Sequence, residues 1–321
     1  MSEASWPSGM AAIEWARMMR SCRRSIPVRN TCLVTRPSSP GGRLKRKARL
    51  AGRGLLVDGG LVPGQATLSP FGVTSTRRSG TRFRAAVQTY SVDDDALLAE
   101  QRAYYRARAT EYDEWWQRRG RFDRGSEMSE EWDRQVSLVA AALGTFGATG
   151  RVLELAGGTG WWTQRLARTA DRLTVVDSSP ETLDLNRNRV GRSDVDYVVA
   201  DLFSWQPQRT YDVVFFSFWL SHVPRQRFSA FWSLVQTCLA PSGRVFVVDN
   251  RDPDRGGELD DAYVMRAGPD LDLRRLHDGR RYQVVEIFYE PDELRSLLDQ
   301  EGWTAKIGAT PWFIFGDAQP R

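Results

Sequence analysis

Short apolar runs alternate with amphipathic segments along the chain from residue 151 to residue 302. Each apolar run is only a few residues long and rich in β-branched or aromatic residues, which predicts a strand. In the segments between them, apolar residues recur three and four positions apart, which predicts helices. Strands that alternate with helices form a parallel sheet with helices on both faces, so the expected fold class is α/β. The strands predicted in this way are 151–156, 173–177, 195–199, 211–218 and 244–249.

Two helices are predicted before this alternating region. The first begins near Val92, where acidic residues precede helix formers and suit the positive end of a helix dipole. The second has Ser129 as its N-cap and ends at Gly144 or Gly147. Because both helices come before the first strand, we expect residues 91–150 to form a helical cap over the carboxyl ends of the strands.

Within and after the alternating region, capping residues and charge indicate further elements. A helix is predicted over 160–170, and Ser179 with Pro180 predicts the start of another. Pro291 opens the last helix, and Gly302 closes it. We also predict a charged insertion at 250–288, in which residues 282–288 form a strand. Residues 303–309 and 312–316 are predicted to form a terminal hairpin.

Charge divides the chain into two parts. Residues 1–90 carry 16 of the 45 Lys and Arg residues but only 3 of the 40 Asp and Glu residues, so the remainder is acidic. With no sustained apolar period, this part is predicted to be a disordered basic leader. A tail for nucleic acid or an anionic surface and an organelle transit peptide are the alternatives.

Residues 152–162 read Val-Leu-Glu-Leu-Ala-Gly-Gly-Thr-Gly-Trp-Trp, which predicts a strand, a tight turn and a helix. Glycine permits a positive φ angle and lets a ligand approach bare backbone, so the turn is typical of a nucleotide site. A dinucleotide motif that began at Gly158 would need a third glycine at Thr163. Moreover, Glu154 would repel a pyrophosphate but suits a ligand with an ammonium group.

This segment resembles motif I of the class I S-adenosylmethionine (SAM)-dependent methyltransferases, with Ala156 in place of the first glycine. Residues 104–113 likewise resemble the region before motif I in small-molecule methyltransferases. The resemblance covers about 95–316 and implies a Rossmann-like, mostly parallel sheet of seven strands. It also implies a SAM-binding methyltransferase domain at 151–317, interrupted by the insertion at 250–288.

The resemblance assigns SAM contacts to residues at the carboxyl ends of the strands, where ligands of open α/β sheets bind. Asp177, after the second strand, would accept hydrogen bonds from the ribose hydroxyls, although a lone Asp there is also a common helix cap. Asp201, after the third strand, would face the adenine amino group, and Glu154 would attract the ammonium group. The predicted SAM-binding residues are Tyr105, Tyr112, Glu154, Ala156, Gly157, Gly158, Gly160, Asp177, Ser178, Asp201, Leu202, Phe203 and Ser217.

His222 is the candidate catalytic residue because it follows the fourth strand, near the expected position of the transferred methyl group. Histidine is suited to proton transfer near neutral pH, so it is a candidate general base. The alternative is a loop histidine that only orients backbone. Arg274 and Arg275 are candidates to bind an anionic acceptor, and His277 is interpreted as a turn residue.

The predicted function is methyl transfer from SAM to an O, N or C atom of a small-molecule acceptor such as a quinone or polyketide. The alternative is a non-methylating Rossmann protein, either a nicotinamide-dependent enzyme or a SAM-binding regulator. The acidic domain disfavours nucleic acid as a partner, and no metal site is expected. Apolar runs reach only about eight residues, too short to span a bilayer, and a cytoplasmic location is predicted.

Overall fold

The computed structural model describes residues 92–251 and 263–321 of the chain. The predicted basic leader at residues 1–90 lies outside the described residues, as do residues 252–262 of the predicted insertion. Within the described part, no helix is long and apolar enough to cross a bilayer.

Seven strands form the central sheet in the order β3-β2-β1-β4-β5-β10-β9. The first five pair in parallel, whereas β10 pairs antiparallel with both β5 and β9. This arrangement confirms the expected α/β class and the mostly parallel seven-stranded sheet. The strands are β1 Arg151–Leu155, β2 Arg172–Asp177, β3 Val195–Val199, β4 Tyr211–Ser217, β5 Leu239–Asn250, β9 Trp303–Ala309 and β10 Phe313–Pro320.

Strand β5 begins earlier than the predicted strand at 244–249. Tyr211 pairs with Leu239, but Val213 pairs with Arg244, so the pairing is irregular between these two positions. The predicted turn before Arg244 therefore forms a bulge within β5. A Cβ atom on Gly243 would lie 3.0 Å from the backbone oxygen of Tyr211, so the close approach of the two strands requires glycine there.

The described helices are α1 Val92–Arg108, α2 Tyr112–Trp116, α3 Ser126–Phe146, α4 Thr163–Leu166, α5 Pro180–Val190, α6 Phe228–Cys238 and α7 Pro291–Gln300. The predicted N-cap of α5 is confirmed, since Ser179 Oγ accepts the N–H of Thr182 at 3.1 Å. The predicted N-cap of α3 is wrong. Ser129 lies inside the helix, where its hydroxyl donates to the carbonyl oxygen of Gly125 at 3.1 Å. Helix α4 is also shorter than the helix predicted over 160–170.

The predicted insertion contains a second sheet of three antiparallel strands, where the sequence pattern predicted only one strand at 282–288. These strands are β6 Val264–Gly268, β7 Leu271–Arg275 and β8 Arg281–Val285. Three of the five residues of β7 are charged, and β6 shows no alternation of apolar and polar residues, so the sequence pattern predicted neither strand. Helix α1 packs against β8, with the Gln101 side chain accepting the N–H of Val285 at 2.9 Å. This contact places the insertion beside the predicted cap.

Candidate active site at the carboxyl ends of the strands

The glycine loop after β1 has two kinds of glycine. A Cβ atom on Gly157 would lie 2.2 Å from Val175 Cγ1, and one on Gly160 would lie 2.8 Å from Asn186 Cγ, so packing excludes a side chain at both positions. Gly158 is different, because its nearest neighbour would be 4.0 Å away. Its backbone is therefore the part of the loop that a ligand can approach.

Ala156 has φ 52°, a left-handed conformation that is unfavourable for alanine. The family motif has glycine at this position, and the backbone conformation explains why. The chain therefore keeps the turn at the cost of local strain.

Buried Asn186 on α5 holds the loop in place. Its Nδ2 group donates to the carbonyl oxygen of Gly157 at 3.1 Å, to that of Gly158 at 3.2 Å and to Thr163 Oγ1 at 2.8 Å. Sequence reasoning missed Asn186, because nothing in the local helix pattern distinguishes it from a surface polar residue.

Helix α2 is tethered to the same loop through Asp113. The Asp113 carboxylate accepts hydrogen bonds from Thr159 Oγ1 at 2.8 Å and from Trp161 Nε1 at 2.9 Å, and it forms an ion pair with Arg189. The Trp161 ring also stacks on Trp116 of α2. Residues before the first strand therefore close over the glycine loop.

Asp177 ends β2, and its carboxylate accepts the N–H of Gly158 at 2.9 Å and the N–H of Ser179 at 2.9 Å. Burial raises its pKa, and these hydrogen bonds oppose that shift. The carboxylate thus joins the glycine loop to the start of α5. Both interpretations made from the sequence, helix cap and ligand contact, remain compatible with this position.

A cavity of about 780 Å³ lies over these strand ends, and we call it the cofactor cavity. Ten of the predicted SAM-binding residues line it: Tyr105, Tyr112, Ala156, Gly158, Asp177, Ser178, Asp201, Leu202, Phe203 and Ser217. Its wall also contains residues that the sequence did not indicate: Leu98, Gln101, Arg102, Thr182, Phe218 and Trp219. Glu154, Gly157 and Gly160 are not in this wall, so direct ligand contact by these three residues stays a prediction.

Glu154 lies beneath the glycine loop with only 1% of its surface exposed. Burial raises the pKa of its carboxyl group to about 8, although a hydrogen bond with Thr163 opposes the shift. Its Oε2 atom has no hydrogen-bond partner among the described residues. At neutral pH this carboxyl group is therefore mostly protonated.

At the other end of the cavity, Asp201 accepts Arg102 Nη1 at 2.9 Å and the N–H of Phe203 at 3.1 Å. The apolar side chains of Leu202, Phe203 and Trp219 lie nearby in the wall. Carboxylates at two strand ends, bare backbone between them and an apolar slot fit a ligand with hydroxyl groups, an amino group and a flat ring. The residues present thus fit SAM.

A second cavity of about 1040 Å³ lies next to the first, and we call it the acceptor cavity. The two cavities share four wall residues, Tyr105, Tyr112, Phe218 and His222. Aromatic side chains, among them Trp115 on α2, and several arginines line the rest of the acceptor cavity. A molecule bound there therefore meets the cofactor cavity at this shared wall.

His222 is buried at the shared wall, and its hydrogen bonds define its tautomer. Its Nδ1 lies 2.7 Å from the carbonyl oxygen of Val285, which can only accept, so Nδ1 carries the proton. Nε2 is then the acceptor for the Tyr105 hydroxyl at 2.5 Å. Burial, followed by the positive charge of Arg274, lowers the pKa of His222 to about 3, so the imidazole is neutral at physiological pH.

Buried ion pairs form one side of the acceptor cavity. Arg274 contacts both Glu286 and Asp272, and Arg266 lies 3.2 Å from Asp272. Of the two arginines that the sequence indicated, both Arg274 and Arg275 line the cavity. His277 does not line either cavity.

Instead, the Nε2 atom of His277 lies 2.9 Å from Glu114 Oε2 on the exposed side of the insertion. This position agrees with the interpretation of His277 as a turn residue.

Comparison with known proteins identifies the family. A methyltransferase domain model matches residues 152–243. The demethylmenaquinone methyltransferase of Tropheryma whipplei (strain Twist) is 29% identical over 158 residues, 47% of this chain and 65% of that protein. The aligned region thus spans slightly less than two thirds of this relative.

Two solved structures of DhpI are more similar over a greater length. The DhpI-SAM-HEP complex is 36% identical, with a TM-score of 0.59, and the match covers 72% of this chain and 100% of DhpI. The DhpI-SAH complex is 35% identical, with a TM-score of 0.56, and covers 70% and 98%. The chain belongs to the class I SAM-dependent methyltransferases, and its cofactor is SAM. This assignment favours a methyltransferase over the nicotinamide-dependent alternative.

Proposed function

We propose that this protein transfers a methyl group from SAM to an O, N or C atom of a small molecule bound in the acceptor cavity. The observation that carries the proposal is the shared wall of Tyr105, Tyr112, Phe218 and His222 between the two cavities. A donor on one side and an acceptor on the other meet at that wall.

Bound SAM supplies a methyl group that its sulfonium already activates, so the protein must mainly position the two reactants and exclude water. Asp177, Asp201 and the backbone of Gly158 are proposed to hold the cofactor. The aromatic residues of α1 and α2 are proposed to cover the site, supported by the tether from Asp113 to the glycine loop.

Tyr105 and His222 are proposed to receive a proton when the acceptor atom carries one. The Tyr105 hydroxyl donates to His222 Nε2, so its oxygen can accept a hydrogen bond from the acceptor. As the acceptor proton moves to Tyr105, the tyrosine proton moves to Nε2, and the Val285 carbonyl keeps the ring oriented. In this proposal Tyr105 touches the acceptor and His222 acts through it.

The lining of the acceptor cavity, aromatic side chains with a few charged groups, supports a small-molecule acceptor, since sites for such ligands are typically lined in this way. The quinone named for the Tropheryma whipplei relative is one candidate acceptor. The cytoplasmic location predicted from the sequence stays a prediction.

Transfer of a labelled methyl group from SAM, measured over a panel of quinol, phenol, carboxylate and phosphate acceptors, tests the function. Tyr105→Phe keeps the ring and removes the hydroxyl, so the single-turnover rate with a proton-bearing acceptor should fall by about 100-fold or more. Because Tyr105 also lines the cofactor cavity, the rates of the two proteins are compared at saturating SAM. Tyr282→Phe, which alters a tyrosine outside both cavities, is the matched control.

A Tyr105→Phe rate within a few-fold of wild type would remove the proton route from the proposal. Absence of methyl transfer to every acceptor, in a protein that binds SAM, would contradict the proposed function itself.

A further inference from the structure

Arg108, the last residue of α1, is a buried arginine in the wall of the acceptor cavity. Only 5% of its surface is exposed, and its Nε atom has no hydrogen-bond partner within the part of the chain that the structure describes. Its guanidinium carbon lies 5.0 Å from the ring centre of Tyr112 and 5.6 Å from that of Tyr104. Among the described residues, it forms no ion pair. Aromatic faces alone compensate little of the cost of burying a full charge.

The other arginines of this wall mostly have carboxylate partners. Arg121 lies 3.2 Å from Glu111, and Arg251 lies 2.8 Å from Glu290. Arg275 is less buried and lies beside the ring of Tyr263.

The two carboxylates in the described wall, Asp272 and Glu286, both contact Arg274. The charge of Arg108 also acts on Glu286, but among the described residues these two carboxylates face three guanidinium groups, those of Arg108, Arg266 and Arg274, so one positive charge remains in excess. The cavity thus presents a buried positive charge to whatever it binds.

We propose that Arg108 binds an oxyanion, a carboxylate or a phosphate-type group, on the methyl acceptor, which is therefore an anionic small molecule. The proposal rests on the methyl-transfer function proposed above and adds the class of substrate to it. A guanidinium is suited to this role because it offers paired N–H donors that match the oxygens of such groups.

The position of Arg108 also limits where on the acceptor the oxyanion lies. The guanidinium packs against Tyr112, which belongs to the wall shared with the cofactor cavity. The oxyanion thus lies on the side of the acceptor that faces the cofactor cavity. The remaining wall, with Trp115, Trp132 and Trp312, suits an apolar or aromatic body.

Binding of an anion at Arg108 would also assist His222. Burial and the charge of Arg274 lower the pKa of the imidazole most, and the charge of Arg108 lowers it further. An oxyanion on the guanidinium offsets this charge and makes His222 a stronger base. Binding of the oxyanion at Arg108 thus favours the proposed proton transfer to His222.

The test uses the full-length protein with three probes of similar shape: benzoate, phenyl phosphate and the neutral benzamide, all at the same ionic strength. Thermal unfolding and calorimetry measure their binding. At least one anion should bind wild type roughly tenfold or more tightly than benzamide, as expected for a charge-assisted hydrogen bond. The stronger of the two anions identifies the carboxylate or the phosphate class.

Arg108→Met should remove this preference and lower anion affinity by about tenfold or more. In anion-free buffer it should also unfold at a higher temperature than wild type, because it removes a buried charge that the neighbouring carboxylates compensate only in part. If Arg108 binds the ligand, the loss of anion affinity and the rise in unfolding temperature should occur in the same variant. Arg295→Gln, which removes an exposed arginine outside both cavities, should change neither property and is the control.

Two results would overturn the inference: equal binding of benzamide and both anions to wild type, or undiminished anion binding by Arg108→Met. The acceptor panel distinguishes this failure from failure of the proposed function. Methylation of neutral acceptors at equal rates by wild type and Arg108→Met would leave the methyltransferase function intact and contradict only the anionic acceptor.

Discussion

Replacing Glu154 with Gln should stabilise the ligand-free protein, with a gain that grows as pH rises. The carboxyl group is buried beneath the glycine loop, and its pKa is raised to about 8 from an ordinary value of 4.5. The unfolded chain loses this proton above pH 4.5, but the folded protein keeps it until about pH 8. The unfolded state therefore binds fewer protons in this window, and the contribution of Glu154 to the free energy of unfolding falls as pH rises.

The magnitude follows from the distance between the working pH and the ordinary pKa. At pH 7 the difference is 2.5 pKa units, and each unit corresponds to about 1.4 kcal/mol, so Glu154 lowers stability by about 3 kcal/mol. Glutamine has nearly the same shape as the protonated acid but never ionises. Glu154→Gln should thus match wild type near pH 4.5 and exceed it by about 3 kcal/mol at pH 7.

Urea unfolding of wild type and variant at pH 5, 6, 7 and 8 measures this difference. His222 and Asp249 also have shifted pKa values, but both proteins contain them, so their contributions cancel in the comparison. Glu130→Gln, at an exposed glutamate, is the control and should show no comparable gain. A difference that does not change with pH, or a variant less stable than wild type at pH 8, would refute the reasoning.

The resemblance to motif I implies a function that explains why this costly acid is present. If Glu154 ionises when the ammonium group of SAM binds near it, the stabilised Gln variant, which cannot ionise, should bind SAM more weakly. Calorimetric titration at pH 7 measures that affinity, and equal affinity in both proteins would restrict Glu154 to a structural role.

Three further predictions concern the rest of the site. Asp177→Ala should weaken SAM binding by about 1–3 kcal/mol by removing a charged acceptor, and unchanged affinity in a folded variant would contradict its role. Gly160→Ala should lower the unfolding temperature more than Gly191→Ala, because both have positive φ but only Gly160 also lies against Asn186. An equal decrease in the unfolding temperature of both variants would show that the glycine loop adjusts to the added methyl group. His222→Ala should slow single-turnover methyl transfer by about 100-fold or more at saturating SAM, and a nearly normal rate would leave positioning as the mechanism.

The local sequence pattern was sufficient to predict the parallel part of the sheet and the residues at the ends of its strands. An apolar run followed by glycines predicts a strand and a tight turn from adjacent residues alone. Asp177 and Asp201 could be predicted as cavity residues because the ends of parallel strands meet at one edge. The same reasoning correctly placed His222 near that edge.

The three-stranded sheet of the insertion could not be predicted in full. Three of the five residues of β7 are charged, and β6 has one charged residue, Arg266; their carboxylate and guanidinium groups pair only after the chain has folded. Alternation of apolar and polar residues, the signal that indicates a strand, is therefore weak there. The bulge in β5 was also missed, because the residues that form it are typical of a turn before a strand and not of a position within one.

The sequence by itself determined the class of fold, the glycine turn and the kind of cofactor, because these depend on residues close together in the chain. Only the tertiary structure decided the chemistry of the individual side chains. Tyr105 and His222 are 117 positions apart, yet they share a hydrogen bond at the wall between two cavities. The protonation of Glu154 and the excess positive charge at Arg108 likewise depend on which distant groups surround them. Burial and electrostatic fields arise from the whole packed molecule, so no local pattern in the chain contains them.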